Sequence, residues 1–201
     1  MTAVIDIFYD FRSPYAYFAS HRLRRDAITQ RGHDWRWCPV SIDVLLNLQA
    51  GREPGEAYVD PLPRPKRAHL IADVRRLAAY HHLPLRAPKP PRPNPVPALC
   101  LARLLGEKER QAFSYAVFDA LWQEQQDIST PEVLQSCLAQ AGVETRELDA
   151  AFDDAARANL AEVTRQAYAR GVFGVPSFVV GDEVFFGSDR LDLLLWRIER
   201  P

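Results

Sequence analysis

Stretches of high β-propensity occur only at the two ends of this chain, and that confinement limits the folds open to it more than any other feature. Near the start, Ala3 to Phe8 carries Val4, Ile5, Ile7 and Phe8, while Asp34 to Cys38 alternates around Trp35 and Trp37. Between them Tyr15, Ala19, Leu23 and Ala27 recur at helical spacing, and Gly32 is placed to end the helix. Ser13 then falls at the N-cap and Pro14 at the first helical position, both preferred placements. A β-α-β start is predicted. Near the end, Ser177 to Val180 and Val184 to Phe186 predict a hairpin through Gly181, Asp182 and Glu183. Leu191, Leu194, Leu195 and Ile198 predict a last amphipathic helix, with Ser188 or Asp189 able to cap it.

The middle of the chain reads as helix and loop. Leu45, Leu46 and Leu48 suggest a short helix, Gly51 to Pro65 a loop, and Leu70, Val74, Leu77 and His81 a longer helix. Prolines are too dense from Pro84 to Pro97 for regular structure. Helical patterns return at Ala98 to Leu105, Phe113 to Trp122, Glu132 to Ala141 and Glu147 to Arg170. Ser129 stands three residues before Glu132, the spacing of a capping box, with Pro131 just inside. The predicted order is β-α-β, helical block, β-β-α. That is the α/β order of a thioredoxin-like fold carrying a large all-helical insertion. Residues 1–40 and 171–201 are expected to form the thioredoxin-like domain and residues 41–170 the helical insertion domain.

Charge and cysteine content narrow the partners. The 25 Lys and Arg residues balance 26 Asp and Glu, so the basic excess that nucleic-acid binding needs is missing and small-molecule partners are favoured. No stretch is apolar for long enough to span a bilayer, and the residues from Met1 to Asp6 do not read as a secretory signal. Cys38, Cys100 and Cys137 form no C-x-x-C pair and have no metal-ligand spacing. A cytoplasmic protein without a disulfide framework or a metal is expected. The five histidines lack ligand-like neighbours, and Arg22, Arg24 and Arg25 read as a solvated helix face.

Several separated motifs, in order, carry a family resemblance. They are D-F-x-S-P-Y at Asp10 to Tyr15, N-P-x-P-A-L at Asn94 to Leu99, G-V-F-G-V-P at Gly171 to Pro176, and G-D-E-x-F-F-G-S-D-R-L at Gly181 to Leu191. With these the sequence resembles the 2-hydroxychromene-2-carboxylate isomerases, relatives of kappa-class glutathione transferases in the DsbA-like branch of the thioredoxin superfamily. The resemblance implies glutathione as a cofactor and Ser13 as the catalytic residue, at the position held by the first catalytic cysteine in thiol oxidoreductases of this fold. Ser13 and Ala16 leave no cysteine at either active position, which disfavours disulfide exchange. A helix N-terminus carries free N–H groups and roughly half a positive charge, which stabilises a thiolate placed beside it. On local grounds alone Ser13 reads as a plain N-cap, and it is the resemblance that adds the chemical role.

The resemblance further implies a cis bond before Pro176. Such a bond would turn the Val175 N–H and C=O away from the sheet, leaving both free to pair with the backbone of glutathione. Ser188 and Asp189 would hold the γ-glutamyl end, with Asp189 on its ammonium, although both could equally be helix caps. Asn94 and Lys66 would lie near the ligand, or else be a turn residue and a surface charge. Tyr15 could wall a pocket for an aromatic substrate, while Tyr17, Trp37 and Phe173 read as core. The expected activity is cis-trans isomerisation of a small aromatic carboxylate by reversible thiolate addition. A kappa-like transferase or peroxidase, or a glutathione-binding protein without turnover, uses the same features. A homodimer is also compatible.

Overall fold

The computed structural model describes residues 2–26, 28, 32–54, 56, 62–144 and 147–200. The first strand, β1 (Val4–Tyr9), is buried from Ile5 onward and lies inside the sheet, which explains its nearly continuous apolar run. The one acidic interruption, Asp6, faces Arg36 in register on β2 (Asp34–Pro39), with ion pairs of 2.8 Å to both Arg36 and Arg170. Helix α1 (Pro14–Arg25) connects these two parallel strands. Strands β3 (Ser177–Val180) and β4 (Glu183–Phe186) complete a sheet of order β2-β1-β3-β4, in which β3 runs antiparallel to both neighbours. The hairpin turns through Gly181 at a φ of 57°, and α8 (Leu191–Ile198) closes the chain.

Everything regular between β2 and β3 among the described residues is helical. The helices are α2 (Ile42–Gln49), α3 (Arg64–Tyr80), α4 (Val96–Leu104), α5 (Glu107–Trp122), α6 (Pro131–Gln140) and α7 (Asp154–Ala169). This is the DsbA-like thioredoxin arrangement expected from the sequence. The helices and the sheet share a core in which aromatic edges meet aromatic faces. Tyr9 sits 5.4 Å from Phe11 and 5.3 Å from Trp37, and Phe11 sits 5.0 Å from Phe118 of α5. The Tyr9 hydroxyl, which burial holds far above its ordinary pKa, shares a 2.7 Å hydrogen bond with Ser114. Beside the core, Glu107 accepts from the Trp37 N–H at 2.5 Å, and the Arg110 guanidinium donates to the carbonyls of Trp37, Ala102 and Leu105.

Local departures from expectation have local causes. Helix α6 is capped by Thr130, whose hydroxyl accepts from the Val133 N–H, because Pro131 takes the first helical position and the cap is the residue before it. Ser129 is instead held by Asp127 at 2.6 Å. The segment expected as one helix from Glu147 to Arg170 is split into a 3-10 turn (Asp149–Phe152) and α7, with Asp153 extended between them. Helix α1 stops at Arg25 rather than running on to Gly32, and Ala27 lies outside the described residues. Phe173 is 46% exposed rather than buried and packs at a tilt against Phe186, 4.7 Å away.

One pairing on α1 gives a pH prediction. Burial and the neighbouring Arg24 lower the pKa of His21 despite Asp119 at 3.8 Å, and the ring packs edge-on against Tyr17. A histidine whose folded pKa is depressed contributes stability above its unfolded value of about 6.5, and that contribution is lost as pH falls. The melting temperature of His21→Gln should therefore drop less than that of the native chain between about pH 7 and pH 5. Parallel melting curves across that range would contradict this.

Candidate active site

The loop leaving β1 is built around Asp10. Its buried carboxylate accepts from the Arg12 N–H at 2.9 Å and the Ile42 N–H at 2.8 Å, fixing the loop against the start of α2, and burial raises its pKa. The next residues place Ser13 at the N-cap of α1, where its hydroxyl accepts from the Ala16 N–H at 3.2 Å. The same hydroxyl donates to the Val175 carbonyl at 3.1 Å. Val175-Pro176 is a cis peptide, so Ser13 and the cis-proline loop meet across 162 residues of sequence. Only one of the two Val175 backbone groups is left free. The carbonyl is taken by Ser13, whereas the N–H has no partner among the described residues.

Val175 and Pro176 line a cleft of about 820 Å³. Tyr15 of α1, Ser188 and Asp189 line it too, so the structure brings these five residues and Ser13 to one place. The Gly187 N–H donates to the Pro176 carbonyl at 2.9 Å, which holds the 3-10 turn Ser188–Arg190 beside the cis-proline. Neither Ser188 nor Asp189 caps α8 through its side chain, in contrast to the sequence reading, since Arg190 occupies the cap position. The Asp189 carboxylate is 70% exposed, with Arg190 at 3.5 Å. Gly174 carries no side chain because a Cβ there would come within 2.7 Å of the Phe186 ring, which also lines the cleft.

The Tyr15 hydroxyl donates to Asp73 of α3 at 3.1 Å, and burial together with Asp73 pushes its pKa up to about 12. It is therefore a neutral donor across the cleft at ordinary pH. Lys66 and Asn94 do not line the cleft. Lys66 is exposed in the first turn of α3, and the exposed Asn94 accepts from the Val96 N–H at 3.1 Å at the start of α4.

Sequence reasoning missed Arg22, Asp73, His81 and Asp192. Arg22 is not on a solvated face; it lines the cleft, with Asp192 at 2.7 Å and Asp26 at 3.6 Å, and is only 15% exposed. His81 ends α3, where burial and then Arg22 and Arg25 lower its pKa, so it is not the favourable helix-end cation its position suggests. The only available signal was the spacing of Tyr15, Arg22 and Arg25, which share one face of α1.

The chain's own thiols are unsuited to attack. Burial pushes the pKa of Cys38 up to about 12, that of Cys100 to about 11 and that of Cys137 to about 12. Among the described residues no group of three or more His, Cys, Asp and Glu side chains is placed to hold a metal, and no helix is long and apolar enough to cross a membrane.

The model of the DSBA-like thioredoxin domain matches residues 4–199. The 2-hydroxychromene-2-carboxylate isomerase of Sphingobium xenophagum is 30% identical, over 96% of this chain and 97% of that protein. The chain belongs to the 2-hydroxychromene-2-carboxylate isomerase family of DSBA-like thioredoxin proteins. Another 2-hydroxychromene-2-carboxylate isomerase, from Pseudomonas sp. (strain C18), is also 30% identical, with 96% of this chain and 89% of that protein covered. Among solved structures, a 2-hydroxychromene-2-carboxylate isomerase superimposes with a TM-score of 0.80 at 27% identity, covering 98% of this chain and 95% of the other. A probable DsbA oxidoreductase from Streptomyces coelicolor shares the fold, with a TM-score of 0.71 at 18% identity over 99% and 91% of the two chains. At the helix start where an oxidoreductase of this fold needs thiols, this family member has Ser13 and Ala16.

Proposed function

We propose that this protein is a glutathione-dependent cis-trans isomerase of a small aromatic carboxylate of the 2-hydroxychromene-2-carboxylate type. The observation that carries the reading is the Ser13 hydroxyl, set at the N-terminus of α1 and hydrogen-bonded to the cis-proline loop, in a protein whose own thiols are held protonated. The names of the relatives supply the reaction class.

The residues present fit glutathione. The unpartnered Val175 N–H can donate to a peptide carbonyl in the manner of an added strand. The exposed Asp189 carboxylate suits an ammonium, and the cleft's three arginines and three aspartates suit a zwitterionic tripeptide. When bound, glutathione supplies a thiolate that adds reversibly to the conjugated double bond, so that rotation takes place about a single bond. The Ser13 hydroxyl has one proton, given to the neutral Val175 carbonyl at 3.1 Å. A charged acceptor makes the stronger hydrogen bond, so with glutathione bound the Ser13 hydroxyl would be free to give its proton to a thiolate in place of the carbonyl while still accepting from Ala16. The end of α1 adds its partial positive charge.

Glutathione at one hundred times its dissociation constant should stabilise the fold by about 2.7 kcal/mol, and S-methyl glutathione should bind less well. With a 2-hydroxychromene-type substrate, conversion should require glutathione and leave its concentration constant. Conversion without glutathione would refute the cofactor, and net consumption of glutathione would mark a transferase instead.

A further inference from the structure

The charge of this chain is balanced as a whole but segregated along it. From Arg64 to Arg92 there are eight Lys and Arg residues and one acid, Asp73, whereas Glu107 to Asp154 holds eleven acids and three bases. We infer that the basic segment, α3 and the proline-rich stretch after it, is an electrostatic collector that speeds the capture of net-negative ligands by the cleft beside Ser13. The inference rests on the reading of that cleft as a glutathione site and adds how the ligand arrives there.

The first observation is position. Helix α3 forms one wall of the cleft, to which it contributes Leu70, Asp73, Leu77 and Tyr80, spaced three and four residues apart along a single face. Arg76 stands three residues from Asp73 and four from Tyr80, so it borders that face, and Arg75 lies on the outer side of the same turn. Ala78 is the one buried residue among those of α3, so the charges of this helix face water within reach of the cleft mouth.

The second observation is compensation. Inside the cleft the charges are matched over short distances. Asp192 lies 2.7 Å from Arg22, Asp189 lies 3.5 Å from Arg190, Arg25 lies 2.8 Å from Asp26, and Asp73 accepts from Tyr15 at 3.1 Å. On the basic segment Arg75, Arg76, Arg86 and Lys89 are exposed, and none of the four has a charged or hydrogen-bonded side-chain partner among the described residues. The near field of the cleft is therefore balanced, while the field over its α3 rim is positive.

These two fields act on different properties of a ligand. Matched charges inside a cleft select the individual ends of a bound molecule and govern its release, whereas an unmatched field extends about one Debye length, roughly 10 Å at 0.1 M salt, and acts on net charge during approach. Glutathione carries two carboxylates against one ammonium. It is thus a zwitterion for the cleft and an anion for the rim.

The test has two arms. In the first, relaxation of the α3 amide protons by the anionic nitroxide 3-carboxy-PROXYL is compared with relaxation by its neutral counterpart 3-carbamoyl-PROXYL, using the native chain. The anionic probe should relax them more strongly at low salt, and the excess should vanish at high salt. In the second, stopped-flow tryptophan fluorescence follows glutathione binding to the native chain, to R75Q/R76Q/R86Q/K89Q and to K108Q, which removes an exposed charge from the first turn of α5. The quadruple variant should bind glutathione about threefold more slowly at low salt with unchanged release, should match the native chain at high salt, and should bind the net-neutral glutathione ethyl ester at the native rate. K108Q should behave as the native chain. Equal relaxation by the two nitroxides, an unchanged on-rate in the quadruple variant, an equal loss with the neutral ester, or faster release in place of slower capture would each overturn the collector. Retention of a short DNA duplex by the native chain with an unchanged glutathione on-rate would assign the face to a polyanion instead. Enrichment of the anionic nitroxide over α3, together with no binding of glutathione, would uphold the collector and refute the glutathione reading.

Discussion

Ser13→Ala should yield a folded protein whose turnover at neutral pH is about tenfold slower or worse, with part of the loss recovered in alkali. The substitution takes an acceptor from the Ala16 N–H and a donor from the Val175 carbonyl. As a cap, the serine is worth about 0.5–2 kcal/mol against a total of about 5–15 kcal/mol, so folding survives with a lower melting temperature. In the proposed role of donor to a thiolate it would be worth more. A hydrogen bond to a charged group contributes about 1.5–3 kcal/mol, equivalent to one to two pKa units and at least about a tenfold change in rate. Raising the pH restores the thiolate population without the hydroxyl, with the end of α1 still stabilising it, so the defect should shrink. Circular dichroism melting and a pH-rate profile separate the two roles. A variant with unchanged turnover and an unchanged profile would reduce Ser13 to a cap.

Gly187→Ala should cost both stability and glutathione affinity. Gly187 has φ 113° and ψ 150°, a backbone region that side chains rarely enter, at a cost of about 1–3 kcal/mol. An added Cβ would also lie 2.5 Å from the Asp189 Oδ1, so the carboxylate must move. If Asp189 holds the γ-glutamyl ammonium as proposed, losing that charge-assisted hydrogen bond predicts roughly tenfold weaker binding or more by calorimetry. Gly181→Ala is the control. Its φ is 57°, it sits in the β3-β4 turn and a Cβ there meets open space, so it should lower the melting temperature and leave glutathione binding unchanged. Native affinity in Gly187→Ala would remove Asp189 from the ammonium site.

The parts of this site that could be read from the sequence are those where a residue type answers a backbone demand. Ser13 before Pro14 marks a helix start, and the glycine-punctuated hairpin marks a sheet edge. The cap of α6 was misplaced at Ser129 by its capping-box spacing to Glu132, although the same proline rule names the residue before Pro131, Thr130. Arg22, Asp73, His81 and Asp192 were not legible for a physical reason. A charged side chain on a helix carries no local signal of whether it looks onto water or across a cleft to another helix. Phe173 misled in the opposite sense, since an aromatic residue between glycine-rich turns reads as core but packs at the surface against Phe186.

The contacts of Glu107 and Arg110 with Trp37 have a consequence for assembly. An open sheet can normally recruit a further strand at either border, because each border presents unpaired backbone groups. Here side chains from the first turn of α5 occupy the Trp37 N–H and C=O on the β2 border, so that border is stoppered in mid-strand. Growth of the sheet is left to β4, whose four residues allow only a few backbone bonds to an incoming chain. Among the described residues the two borders of the sheet thus differ, and strand-by-strand association between copies is hindered on the β2 side and short on the β4 side.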